Sequence, residues 1–382
     1  MLDESLLDAP DALTRADHRG LLRDAAEAGA RVRTALRHTA EAGVGALAPE
    51  GRPRAVLIAG SGAAATGAAD LVAALTDGAA PVTRLRPTGV APAAGALRWA
   101  LPGWAGPVDL LLIATTDGSE PGLALLAEQA YRRGCTVVAV APGHSPLGES
   151  LGGTHGLLVP MATAPNEWAD SVEEDTRVTG PGALWALLVP LLALLDRVGL
   201  LTAPPETLQR VADRLDRTAE RCGPAVVTYS NPAKTLAAEL ADSLPLIWTE
   251  GTAAAPAGRR FAAVLAELTG RPALAAELPE AIQAHGALLA GDFAGGTEPD
   301  DFFRDRVEES QALRARVVLL RDRPVGGLTA APAARELALG HDTAISELEP
   351  EEGTEIEALA EVIAVTDFAT VYLALAAGTT PA

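Results

Sequence analysis

The chain has 382 residues, 48% hydrophobic and 21% charged, which is apolar material for two globular domains and excludes a disordered chain. Lys and Arg number 30 against 50 Asp and Glu, a net of −20. That sign argues against nucleic acid and anionic membrane as partners, because contacts to phosphate supply most of the affinity for either.

Residues 5–44, with LLRDAAEAGARVRTALRHTAE, alternate Leu and Ala with charges at helical spacing and predict one or two amphipathic helices. After Pro53 the pattern changes to RAVLIAGSGAAATGAADLVAAL: a short apolar run, then Gly60, Ser61 and Gly62, then a helical stretch. That is a strand, a tight loop and a helix start, the opening of a βα unit. VDLLLIATTDGSEPGLALLAEQAYRRG repeats the grammar, with a strand at 108–114, a polar loop at 115–122 and a helix to about 132; CTVVAVAPG adds a third strand. This alternation predicts a parallel, doubly wound sheet with ligands beyond the carboxyl ends of its strands.

The longest apolar run, 183–195, contains Pro190 and is shorter than the roughly 18–20 residues that cross a bilayer, so it predicts a buried helix. Beyond the Pro204-Pro205 break a second α/β block follows. LQRVADRLDRTAERCG is helical, NPAKTLAAELADSLPLIW is a helix and a strand, and TEGTAAAPAG is a loop. GRRFAAVLAELTG is helical, PALAAEL and ARVVLLRD are strands, and residues 356–378 form a closing helix. The division is 1–195 for a first α/β domain with its leading helices and 200–382 for a second.

The segment NPAKTLAAELADSLPLIW at 231–248, continuing through Arg260, Leu265 and Glu267 to ELPE at 277–280, resembles the sugar isomerase (SIS) domain family. Within it, the chain is similar to the bifunctional phosphoglucose/phosphomannose isomerases. Asp367 with VYLALAAGTTPA is similar to that family's closing helix, and LIAGSGAAATGAADL to its first domain more loosely. The resemblance implies an α/β fold of two tandem SIS-type doubly wound parallel-sheet domains, flavodoxin-like and three-layered. It also implies aldose–ketose isomerisation of a sugar phosphate through an enediolate, with no metal and no cofactor. That chemistry needs a phosphate cup, a carboxylate base, a cation near the enediolate oxygens and an acid–base group for ring opening.

Carried over residue by residue, the resemblance puts Glu267 at the catalytic glutamate, with Ala266 and Leu268 where the family has asparagines. The ring-opening histidine falls on Gln283, with His285 two residues on as the catalytic candidate. Gly60, Ser61, Gly62, Thr115, Thr116, Ser119 and Arg260 are the substrate-binding candidates. The family's phosphate loop is of the Ser-Tyr-Ser-Gly-Asn-Thr type; here Asp117 replaces a hydroxyl donor and Glu120 a threonine. A carboxylate about 4 Å from a phosphate oxygen costs roughly 4 kcal/mol at an effective dielectric of about 20, more than several neutral hydrogen bonds return. Both acids also suit a helix start, where they offset the dipole. The family's Pro-Arg-Ala cation reads Pro181-Gly182-Ala183, leaving Arg177, Arg259 or Arg260 to supply it, and the closing lysine is absent.

Other motifs carry less. Gly60-Ser61-Gly62 lacks the third glycine of a dinucleotide loop and the spacing of a hydrolase elbow. His144, His155 and His341 lack metal-ligand spacing, and Cys135 with Cys222 cannot build a four-thiolate zinc site. EWADSVEED at 167–175 reads as a solvated acidic loop, and the tryptophans are scattered, with Trp168 a possible sugar platform. The expectation is therefore a sugar- or sugar-phosphate-binding double-SIS protein with an altered site. The alternative is a non-catalytic sugar sensor or a scaffold subunit of a true isomerase. The acidic N-terminus lacks a signal-peptide pattern, which points to the cytoplasm. The Leu-rich 183–195 stretch and the apolar 371–377 end predict a homodimer; sedimentation at micromolar concentration is expected to show a dimer, and a clean monomer contradicts it.

Overall fold

The computed structural model describes residues 4–47, 51–89, 97–153, 156–162, 180–291, 293, 313–322 and 329–378. It begins with four helices, α1 (Glu4–Leu7), α2 (Pro10–Ala16), α3 (Leu21–Ala26) and α4 (Ala28–Glu41), where the sequence pattern predicts one or two. The pattern misses the breaks because each is a short turn, such as the one at Gly20, whose φ is +66°.

The first sheet is built from β1 (Val56–Ala59), α5 (Gly62–Leu75), β2 (Val82–Leu85), β3 (Leu110–Ala114), α6 (Pro121–Arg132), β4 (Thr136–Ala141), α7 (Pro146–Gly152) and β5 (Leu157–Pro160). α8 (Ala183–Arg197) follows, then α9 (Pro205–Arg221). The strands are all parallel in the order β2-β1-β3-β4-β5. β3 is buried at every position, as expected of a parallel strand covered on both faces. One face, with Leu57, Leu111, Ile113, Val137 and Ala139, packs on Leu123 and Leu126 of α6 and on Leu147 and Leu151 of α7. The other face meets α5 and α8. α8 buries nearly all of its side chains, Pro190 included.

The second sheet starts with α10 (Pro232–Leu240), β6 (Ser243–Glu250), α11 (Ala254–Thr269) and β7 (Leu274–Glu277). α12 (Glu280–Ala290), β8 (Arg314–Arg321), α13 (Ala331–Gly340), β9 (Ala344–Leu348) and α14 (Glu355–Ala376) complete it. Its described strands number four, in the parallel order β7-β6-β8-β9. Leu246, Trp248, Val317 and Leu319 face α12 and α13, while α10 and α11 cover the opposite face and α14 packs on both of those helices. The region read as the loop TEGTAAAPAG already contains the first turn of α11.

The chain divides into two compact units, residues 23–216 and residues 1–22 together with 217–382. The sequence division at 195–200 grouped the leading helices with the first sheet; here α1 and α2 contact α14, because apolar surface on that helix needs covering. α14 is long and apolar enough to cross a bilayer by length and composition, and 94% of its most apolar window is buried inside the fold. It starts at a capping box: Thr354 accepts from the Glu357 N–H, and the Glu357 carboxylate accepts from the Thr354 N–H.

Charged groups are buried in the second unit only where they are paired. Arg260 of α11 donates to both carboxylate oxygens of Asp367 on α14, at 2.5 and 3.1 Å. Lys234 of α10 is fully buried, and its Nζ donates to the carbonyls of Pro224 and Val226 at 2.8 and 2.7 Å. It also lies over the ring of Tyr372, whose hydroxyl donates to the carbonyl of Cys222. Asn231 caps the same helix by accepting from the N–H groups of Ala233 and Lys234. Asp367→Asn leaves Arg260 buried without its counter-charge and is expected to destabilise this unit by about 3–5 kcal/mol, read as a lower urea midpoint. An unchanged midpoint would show the pair to be dispensable.

Candidate functional site

In both sheets the chain leaves one strand outward on one side and returns on the other, so the topological switch points lie between β1 and β3 and between β6 and β8. Ligands of open α/β sheets bind at such points, beyond the carboxyl ends of the strands.

In the first sheet these ends carry the loops at 60–62 and 115–120, so the structure brings Gly60, Ser61, Gly62, Thr115, Thr116 and Ser119 to neighbouring strands. Gly60 lies against Ala114: a Cβ there would collide with the Ala114 carbonyl oxygen and the Ala65 methyl, so only glycine fits. Ser61 is the N-cap of α5 and makes no side-chain capping bond.

The 115–120 loop is organised around the carboxylate of Asp117. Its Oδ1 accepts from the Ser119 N–H at 3.1 Å and from the Thr115 hydroxyl at 3.2 Å, and its Oδ2 accepts from the Ser119 hydroxyl at 3.0 Å. Thr115 Oγ1 in turn accepts from the Gly118 N–H, and the Glu120 carboxylate accepts from the Gly122 N–H at the start of α6. The donors that would hold an anion at this helix start are thus engaged by the chain's own acids. Thr115 is buried, whereas Asp117 and Ser119 are exposed.

At the start of α8 a second carboxylate serves a backbone donor. Asp24 accepts from the Gly182 N–H at 2.7 Å and pairs with Arg31 of α4. Burial pushes the Asp24 carboxyl up from its ordinary value, against the pull of Arg31 and of the Gly182 N–H. His38, two helical turns beyond Arg31, places Nδ1 2.9 Å from the Pro160 carbonyl oxygen, so α4 passes the end of β5.

The switch point of the second sheet is crossed by two acids. Asp322, just past β8, accepts from the N–H groups of Ala253 and Ala254 at the start of α11, the helix that follows β6. Glu250, the last residue of β6, accepts from the Ala330 N–H and the Thr329 hydroxyl at the start of α13, the helix that follows β8. Each strand end therefore caps the other strand's helix.

The remaining predicted residues lie in this second unit and are not brought together. Arg260 and Glu267 stand two turns apart on α11, but Arg260 is held by Asp367. Glu267 is exposed by area at the helix surface; its surroundings still desolvate the carboxyl enough to raise it, offset by Arg260 and Arg19. His285 is buried on α12, across the sheet from α11: Trp248 faces it, whereas Ile247 and Thr249 approach Gly258 of α11. Arg259 pairs with Glu277. His155, Trp168, Arg177, the acidic run at 167–175 and the terminal TTPA lie outside the described residues. Among the described residues no group of His, Cys, Asp and Glu could hold a metal ion.

Asp24, Arg31, Glu250 and Asp322 had no sequence signal. They act on helix starts distant in the chain, so neither spacing nor a motif marks them.

With this geometry in hand, the comparisons define a class: the chain belongs to the SIS-domain family. In particular, residues 229–382 match the bacterial phospho-glucose isomerase C-terminal SIS domain. The fold is similar to a protein of Clostridium difficile described as a phosphosugar isomerase, with a TM-score of 0.62, 12% identity and 94% of each chain covered. A protein of Silicibacter pomeroyi with the same description gives a TM-score of 0.60 at 15% identity, covering 95% of this chain and 99% of that one. Tagatose-6-phosphate ketose/aldose isomerase from Escherichia coli gives 0.53 at 14%, covering 95% and 93%. No curated protein sequence matches the chain.

His285 Nδ1 accepts from the indole N–H of Trp248 at 2.9 Å, which requires that nitrogen to be unprotonated. Burial lowers the His285 pKa from 6.5, so the folded chain binds this proton less readily than the unfolded chain. The contribution of His285 is present above pH 6.5 and is lost as pH falls below it towards the folded value. In urea unfolding, the stability difference between the unmodified chain and His285→Gln, which keeps an acceptor without titrating, is expected to move against the unmodified chain as pH drops below 6.5. A pH-independent difference contradicts the neutral assignment.

Proposed function

We propose that this SIS protein binds a sugar or sugar phosphate at the carboxyl edge of its first sheet, and that its site has departed from that of a competent aldose–ketose isomerase. The observation that carries this reading is the Asp117 carboxylate, which accepts from Thr115 and twice from Ser119. An arriving phosphate meets a fixed negative charge and donors already engaged. Glucose 6-phosphate, mannose 6-phosphate and fructose 6-phosphate therefore bind weakly, and their turnover is slow. Glu267 and His285, the proposed catalytic pair, lie on helices covering opposite faces of one sheet, which supports the loss of concerted acid–base chemistry.

The same loop supports the second reading, a non-catalytic sugar sensor or scaffold subunit of a true isomerase, since a self-satisfied loop can order a binding surface without turnover. Both readings place the protein in the cytoplasm as a homodimer of chains with two SIS domains each.

The test pairs binding with turnover. Asp117→Ser with Glu120→Thr is expected to tighten fructose 6-phosphate binding at least about tenfold, roughly 1.4 kcal/mol, in calorimetry. The gain shrinks at high salt, because screening weakens repulsion between exposed charges. The double variant still turns over poorly in a coupled isomerase assay. Tight binding and rapid isomerisation by the unmodified chain overturn the proposal.

A further inference from the structure

Gly182 has ordinary helical backbone angles, φ −66° and ψ −17°, so nothing in its conformation calls for glycine. Space does. A Cβ at 182 would lie 2.7 Å from Nε of Arg31 and 3.0 Å from its Cδ. A Cβ at Gly180 would run into the Asp24 carboxylate in the same way. The Asp24–Arg31 pair therefore fills the volume that side chains at the start of α8 would otherwise occupy.

The arginine is also incompletely used. Its side chain is only 11% exposed, and one edge is engaged through Nη2 with Asp24. Nε is buried and has no hydrogen-bond partner among the described residues. A guanidinium carries five donors, and leaving a buried one unmet is costly, so a donor in this state marks a place where a partner belongs.

We propose that Arg31 is the ligand-facing cation of the first unit, and that Nε–H donates to a carbonyl or hydroxyl oxygen of a bound sugar. This inference rests on the sugar-binding reading above and names the group that reads the sugar itself. Asp24 balances the guanidinium charge, and a single free N–H cannot grip phosphate in the two-pronged manner that arginine uses. The subsite is thus suited to a neutral sugar oxygen and indifferent to the phosphate. Asp24 is a positioning residue, fixing the guanidinium from one side and the α8 start from the other.

The experiment is calorimetry with fructose and with fructose 6-phosphate at up to millimolar concentrations. It compares the unmodified chain with Arg31→Lys, Arg31→Ala and Arg31→Ala combined with Gly182→Arg, and thermal unfolding of each protein is measured alongside. Arg31→Ala is expected to weaken both ligands by about tenfold or more, and by the same factor, because the lost bond is to an oxygen common to both. Gly182→Arg in that background, reaching into the vacated space from α8, restores most of the loss.

Arg31→Lys keeps a cation beside Asp24 but removes Nε–H, so it folds like the unmodified chain and still loses affinity for both sugars. This variant decides the matter if the alanine variant does not fold. Unchanged affinity in folded Arg31→Lys and Arg31→Ala overturns the role of Arg31 while leaving sugar binding intact. A loss confined to fructose 6-phosphate also overturns it, because Arg31 would then be a phosphate partner. Failure of the unmodified chain to bind either sugar overturns the sugar-binding reading and this inference with it.

Discussion

A helix start exposes backbone N–H groups that have no partner within the helix and that lie at the positive end of its dipole. In a parallel α/β sheet, such starts gather at the carboxyl edge of the strands, where ligands bind. This chain fills them with its own carboxylates. Glu120 serves α6, Asp24 serves α8, Asp322 serves α11 and Glu250 serves α13, while Asp117 ties up the donors of the loop before α6. Much of what distinguishes the protein follows from that substitution of internal anions for external ones. A net charge of −20 is the bulk expression of the same preference.

The two sheets use the device differently. In the second, Glu250 and Asp322 cross the switch point and bind each other's helices, so the edge is knitted together by charge-assisted hydrogen bonds. In the first, Asp117 organises an exposed loop beside the small residues Gly60, Ser61 and Gly62. The first edge keeps surface that a sugar can reach, and the second is occupied by its own bracing. A duplicated architecture has thereby acquired one edge suited to a ligand and one suited to rigidity.

The most recognisable stretch of the chain illustrates how a motif can report fold more than chemistry. NPAK at 231–234 marks the family, yet its asparagine caps α10 and its lysine is fully buried beneath two carbonyls and the Tyr372 ring. Arg260, which the resemblance placed near substrate, is locked to Asp367. These residues hold α10, α11 and α14 together, and buried charges in such positions are costly to leave unpaired. They explain why a domain can keep its family signature while its site changes.

The sequence by itself determined the fold class, the βα alternation of both halves, the buried 183–195 helix and the departures of Asp117 and Glu120 from a phosphate loop. Each is written locally: in hydrophobic periods, in small residues after a strand, in acids beside a helix start. The two extra N-terminal helices, the partners of Arg260 and His285, and the crossing of Glu250 and Asp322 were decided by tertiary structure. So was the occupation of the space at Gly182 by Arg31, a residue 151 positions away in the chain. Hydrogen bonds and steric exclusion depend on where side chains meet in space, and at such separations no spacing rule records the meeting. A glycine at 182 reads in the sequence as a missing cation; only the folded chain shows a guanidinium standing in its place.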